Sequence, residues 1–108
     1  MFDFMKKKKA MDSEAAVRFW AWFTEKEDWI IACITEHKND FIWAVDEMLK
    51  PVFPYFKDEL EFQFGFNGGK GEFFFFHFDN PDLIRDGKAL SEMMPAALAE
   101  KWSFVLEK

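Results

Sequence analysis

The chain is poor in the residues that staple a fold or carry its chemistry. Cys33 is its only cysteine, so no disulfide can form within the chain and no oxidising compartment is implied. Only two histidines occur, His37 and His77, in different segments. Metal sites need clustered His, Cys or carboxylate ligands, so no metal and no cofactor is expected. Neither G-x-S-x-G nor G-x-x-x-x-G-K-[ST] is present, which leaves out the common nucleophile elbow and phosphate loop. No apolar run approaches about 18 residues, so no membrane-spanning helix is expected. The opening MFDFMKKKK sets its apolar residues before its lysines, unlike a signal peptide, and a cytoplasmic protein is the expectation. No internal repeat is visible.

Aromatic rings, in contrast, are abundant. The 108 residues include 16 Phe and 5 Trp but a single Tyr, so most of the aromatic surface is apolar. A chain of this length makes one domain and buries roughly two thirds of its unfolded surface. The formal net charge is −6; residues 1–10, with Lys6 to Lys9 and Asp3, sum to about +3 and leave about −9 on the rest. Residues 1–10 read as a basic N-terminal arm and residues 11–108 as a single domain. An acidic body repels phosphate backbones, so nucleic acid is not an expected partner.

Asp12 or Ser13 can cap a first helix, on which Ala16, Phe19, Trp20 and Phe23 share a face. Thr24 and Glu27 have capping-box spacing, so a second helix is expected to start there, with Trp29, Ile30, Cys33 and Ile34 as its buried stripe and His37 continuing it. A break near Asn39 separates it from a third helix carrying Phe41, Ile42, Val45, Met48 and Leu49, ended by Lys50-Pro51. Next comes a hairpin over 59–78. Leu60, Phe62, Phe64 and Phe66 alternate with Glu59, Glu61, Gln63 and Gly65, NGGKG is a turn, and EFFFFHF is the return strand. Its two faces are Phe74, Phe76, Phe78 and Phe73, Phe75, His77, both apolar, as in a central strand. A two-residue turn would set Phe73 and Phe75 on the face of Phe62 and Phe64; a three-residue turn would set Phe74 and Phe76 there. Asn80 and Pro81 open a further helix in which Gly87 marks an interruption, so its main part is expected from about Gly87 to Met94. A strand over 102–107 closes the order, with Trp102, Phe104 and Leu106 on one face. The class is α+β: N-terminal helices on a small, mostly antiparallel sheet, with another helix between the hairpin and the last strand.

FWAWF followed by TEKED, then FQFGFNGGKGEFFFFHFD, then MMPAALAEKWSF, resemble pieces of an uncharacterised family of small bacterial proteins. That family has an FW-x-WF helix near the N-terminus, a hairpin, and a P-x-x-L-x-x-x-W segment leading into a strand. The resemblance covers residues 19–104. It implies an α+β domain and a bacterial source, and it carries no catalytic residue. In the family's pattern a longer second half follows the last strand, which implies that the strand at 102–107 needs a partner.

His77 with Asp79 and Asp82 is the nearest approach to a metal or catalytic group, but Asp79 and Asp82 also suit the positive end of a helix. Cys33 and His37 are four apart on one helix face without a third group to orient them. Glu59 and Glu61 share a strand face that is expected to be wet. Trp43 lies opposite its helix's apolar stripe, near Asp40 and Glu47, and is expected to be exposed. The reading is a non-enzymatic binding domain that self-associates as a homodimer, or meets a protein partner, through an aromatic sheet surface. Its candidate site residues are Trp43, Phe74, Phe76, Phe78, His77 and Asp79. Two alternatives stand beside it: a small-molecule binder with an aromatic pocket, and an enzyme using His77, Asp79 and the strand-face acids.

Overall fold

A computed structural model describes residues 10–108; the expected basic arm, apart from Ala10, lies outside the described residues. The elements are α1 (Ser13–Thr35), α2 (Asp40–Leu49), a short 3-10 turn (Lys50–Val52), β1 (Glu61–Asn67), β2 (Lys70–Phe76), α3 (Pro81–Glu92), α4 (Ala96–Ala99) and β3 (Trp102–Glu107). The class is α+β, with helices laid on one face of a three-stranded sheet in the order β1-β2-β3.

Asp12 caps α1, its carboxylate accepting the Ala15 N–H at 3.1 Å. The apolar face read from the sequence is buried: Ala16, Phe19, Trp20 and Phe23 are all within the core. No second helix starts at Thr24. The Thr24 hydroxyl donates to the Trp20 carbonyl at 2.8 Å, so it bonds back along a continuous helix instead of capping a new one. Glu27 turns inward, and Trp29, expected in the buried stripe, is exposed. The break does come before Asn39. His37 takes a left-handed φ of 59°, the His37 N–H donates to the Ile34 carbonyl at 3.2 Å and the Lys38 N–H to the Cys33 carbonyl at 2.8 Å. This is a Schellman ending with histidine where glycine is usual, which is why glycine punctuation did not announce it.

The hairpin turns on Gly68 and Gly69, both at positive φ, with Asn67 paired to Lys70. That is the two-residue turn, and it pairs Phe62 with Phe75 and Phe64 with Phe73. The strands are shorter than the 59–78 span: Glu59 and Leu60 precede β1, and β2 stops at Phe76, so His77 and Phe78 lie beyond it. Phe78 and Asp79 take left-handed φ values of 50° and 59°, which no strand tolerates.

The sheet is mixed, where mostly antiparallel pairing was expected: β1–β2 is antiparallel and β2–β3 parallel. The chain between β2 and β3 runs through α3 and α4, a crossover long enough to bring it back in the same direction. Asn80 caps α3, accepting from the Asp82 and Leu83 N–H groups, with Pro81 at the first helical position. α3 runs unbroken through Gly87, not from Gly87 onward as the sequence suggested. A Cβ at Gly87 would sit 2.7 Å from Leu106 Cδ2 and 3.3 Å from the Phe75 ring, so this glycine marks close approach of helix to sheet.

One sheet face takes the helices. Phe23 stacks on Phe73 with centroids 6.2 Å apart, Phe41 meets Phe64 edge-on at 5.2 Å, and Phe53 stacks on Phe75 at 5.1 Å. Each fully buried ring contributes about 1.5–3 kcal/mol over leaving it exposed. Trp102 lies over Gly71, where an added Cβ would meet its ring at 2.5 Å.

Candidate functional site

The strand register sorts the sheet into two grids. On the inner face the rows across β1, β2 and β3 are Phe66–Gly71–Trp102, Phe64–Phe73–Phe104 and Phe62–Phe75–Leu106. On the outer face they are Gly65–Glu72–Ser103, Gln63–Phe74–Val105 and Glu61–Phe76–Glu107. The outer centre is therefore apolar, with carboxylates around it. Phe74, Phe76 and Val105 are half-buried, and none of them packs on the core cluster.

Phe78 is 56% exposed and stands beside this face. The turn that holds it outward is built locally. The His77 N–H continues the parallel pairing by donating to the Glu107 carbonyl at 2.9 Å, His77 Nδ1 accepts the Asp79 N–H at 3.0 Å, and the Asn80 N–H donates to the His77 carbonyl at 2.8 Å. Phe78, Phe76, Phe62, Gln63 and Glu61 line a shallow recess of about 230 Å³. Asp79 is exposed and faces Lys108 at 3.7 Å. His77 thus shapes a turn, and among the described residues no three His, Cys, Asp or Glu side chains are grouped to hold a metal.

Trp43 is 75% exposed and lies beside the start of β1. With Ile42, Asp46, Glu59 and Glu61 it borders a recess of about 170 Å³ that also touches Leu60 and Phe62. A larger groove of about 500 Å³ adjoins it, running between the α1–α2 junction and β1. Ile34, Phe41 and Ile42 form one wall, Phe62 to Gly65 the other, and His37 and Lys38 also line it. Its aromatic lining residues are Phe41, Phe62 and Phe64. Lys38 pairs with Glu36 at 3.1 Å, and that hydrogen bond raises its pKa.

Of the six sequence-derived site residues, Phe74 and Phe76 share the outer face, with Phe78 at its border. Trp43 sits across Glu61 and Phe62 from them, since those two residues line both recesses. His77 and Asp79 belong to the turn. The sequence reading missed two polar ties that hold the inner side. Glu27, buried, accepts the Trp102 Nε1–H at 3.0 Å and a Lys101 Nζ hydrogen at 3.0 Å. Asp86, buried, accepts the Tyr55 hydroxyl at 2.8 Å and two Arg85 hydrogens, each at 2.8 Å. Burial by itself would raise the Asp86 carboxyl, but hydrogen bonds from Arg85 and Tyr55 outweigh it and hold the pKa below the ordinary value. Burial, then the bond to Asp86, pushes the Tyr55 hydroxyl well above its ordinary value. A lone Tyr in a Phe-rich chain was the available signal for the second tie; nothing local marked Glu27 as buried. No helix among the described residues is long and apolar enough to cross a membrane.

No protein-family model, no curated protein and no solved structure matches this chain, so the family resemblance over residues 19–104 rests on its sequence pieces alone.

Proposed function

We propose that this chain is a non-enzymatic protein-interaction domain that associates with a second copy of itself through the outer sheet face, and that it belongs with the FW-x-WF proteins it resembles. The observation that carries the reading is the row Gln63–Phe74–Val105 with Phe76 beside it, an apolar centre that no described helix covers, on a sheet whose other face is filled. The charges also suit self-pairing. Lys70 lies at the hairpin end of the face with Glu72 in the next row, and Glu61 and Glu107 lie at the other end. A two-fold arrangement that reverses strand direction sets Lys70 of each copy against those acids, whereas one that keeps the direction sets acid on acid. The face is small. Three strands about 4.8 Å apart and about 20 Å long cover roughly 300 Å², against about 800 Å² per partner in a standard stable interface. Association is therefore reversible and set by concentration.

Sedimentation from low to high micromolar concentration tests it. The expected result is a rise in mean mass that Phe74→Lys abolishes. Lys70→Glu and Glu61→Lys each weaken association alone, and an equimolar mixture of the two restores it, because each then offers the charge the other lacks. A strictly monomeric wild-type chain at high micromolar concentration overturns the reading.

A further inference from the structure

The free edge of β1 lies outside that reading. In an antiparallel hairpin closed by a two-residue turn, the pair flanking the turn exchanges both hydrogen bonds, and so does every second pair after it. These pairs are Asn67–Lys70, Gly65–Glu72, Gln63–Phe74 and Glu61–Phe76. Phe62, Phe64 and Phe66 therefore turn their N–H and C=O groups away from β2, and no hydrogen bond from another described residue reaches them. Unpaired edges of this kind are a template for another strand, and proteins ordinarily blunt them with charge, proline or a covering element. Here the edge opens instead onto the groove of about 500 Å³ and the adjoining recess of about 170 Å³, which share Ile42 and Phe62.

From this geometry we infer that the β1 edge is a binding site for an extended peptide segment of another protein, added as a fourth strand between β1 and the α1–α2 junction. The backbone of Phe62 and Phe64 supplies the hydrogen bonds, and these demand a chain with free amides at a two-residue period. The apolar wall of Ile34, Phe41 and Ile42 receives every second side chain. The linings differ in charge: the groove carries Lys38, ion-paired with Glu36, whereas the adjoining recess carries Asp46, Glu59 and Glu61 beside the exposed Trp43. The matching segment has an acidic residue at one end, alternating β-branched residues in the middle, and a lysine or arginine at the other end, where its cation lies against the Trp43 ring. A small aromatic ligand would fill the apolar wall but leave the strand edge unpaired. The site borders the outer sheet face at Glu61 and Gln63, but its hydrogen bonds come from the edge backbone of Phe62 and Phe64, which that face does not use.

The test is an NMR titration of the labelled chain with a capped hexapeptide of valine–threonine alternation, acid at one end and lysine at the other, in both orders of sequence. One order is expected to shift the Phe62 and Phe64 amides and slow their hydrogen exchange, and to change Trp43 fluorescence. N-methylation of the valine amides weakens binding by about tenfold or more, the loss of about one net hydrogen bond or more. Replacing the peptide's acid with lysine, or Trp43→Ala in the protein, weakens it several-fold. Absence of shifts at Phe62 and Phe64 with both orders at millimolar peptide overturns the inference, as does equal binding of the N-methylated peptide. Shifts of the same amides on raising protein concentration without peptide overturn it in favour of a second copy, and this differs from self-association through the outer face because Phe74→Lys leaves it intact.

Discussion

The two faces of the sheet are built from alternate residues of the same strands, yet they behave as different materials. Across the inner grid Phe73 is 1% exposed and touches rings from α1, β1 and β3. One residue along, Phe74 lies between Gln63 and Val105 with no ring against it among the described residues. The same residue type in adjacent positions thus holds the core together on one side and lies half-buried off the core cluster on the other. A phenylalanine run does not by itself say which ring is structural.

The largest expected effect breaks this comparison at its centre. Phe73→Ala should cost about 3–5 kcal/mol, as large cavities in packed cores do, whereas Phe74→Ala should cost about 1 kcal/mol or less. Chemical denaturation of the two variants measures both, and equal losses would mean that the outer face is covered. A glycine pair sharpens the contrast. Gly71→Ala drives a Cβ into the Trp102 ring and should destabilise by about 1–3 kcal/mol, while a Cβ at Gly65 meets nothing within 4 Å. Gly65→Ala should be neutral or stabilise by about 0.5 kcal/mol, since glycine inside a strand carries an entropic cost. Thermal melts should show Gly71→Ala lowered and Gly65→Ala unchanged or slightly raised. Glu27→Ala leaves the buried Trp102 N–H unpaired and should cost about 1–3 kcal/mol, with a shift in tryptophan emission.

The smallest effect is a dependence on pH from the Tyr55–Asp86 tie. Asp86 is depressed in the folded chain, so its contribution is present above the ordinary carboxylate pKa and is lost as pH falls below it. Tyr55 is raised, so its contribution is present below about pH 10 and is lost as pH rises beyond it. Stability measured from pH 2 to 11 should fall at both ends, and Tyr55→Phe should flatten the alkaline limb.

Much of the local structure was legible in the chain. Asn80 is a cap as read, Asp12 is the one of the two candidates Asp12 and Ser13 that caps α1, Phe19, Trp20 and Phe23 are buried as their spacing required, and the strand at 102–107 is where its alternation placed it. The misreadings share a cause. Thr24 and Glu27 look like a helix start because their spacing fits a capping box, but distant partners claim them: Trp20 one turn back for the hydroxyl, and Trp102, 75 residues on, for the carboxylate. Gly87 looks like an interruption and is a contact with Leu106 and Phe75. Phe78 fits the strand period and is excluded from the strand by the turn that joins β2 to α3. The candidate site was legible only as a set of rings. Trp43 was read as exposed from its helix position, and it is, but the groove beside it is made by β1, which no local pattern connects to α2.

Composition, charge and periodicity determined by themselves that this chain has an α+β fold with an aromatic core, because those properties depend on neighbours within a few residues. Alternation also determined that β2 carries rings on both faces. Which set of rings is buried was decided by the two-residue Gly68–Gly69 turn and the helices it brought to one side. That choice depends on contacts between residues far apart in sequence, as does the parallel seating of β3, and it left Phe74 and Phe76 facing outward while no described strand pairs with the outer edge of β1.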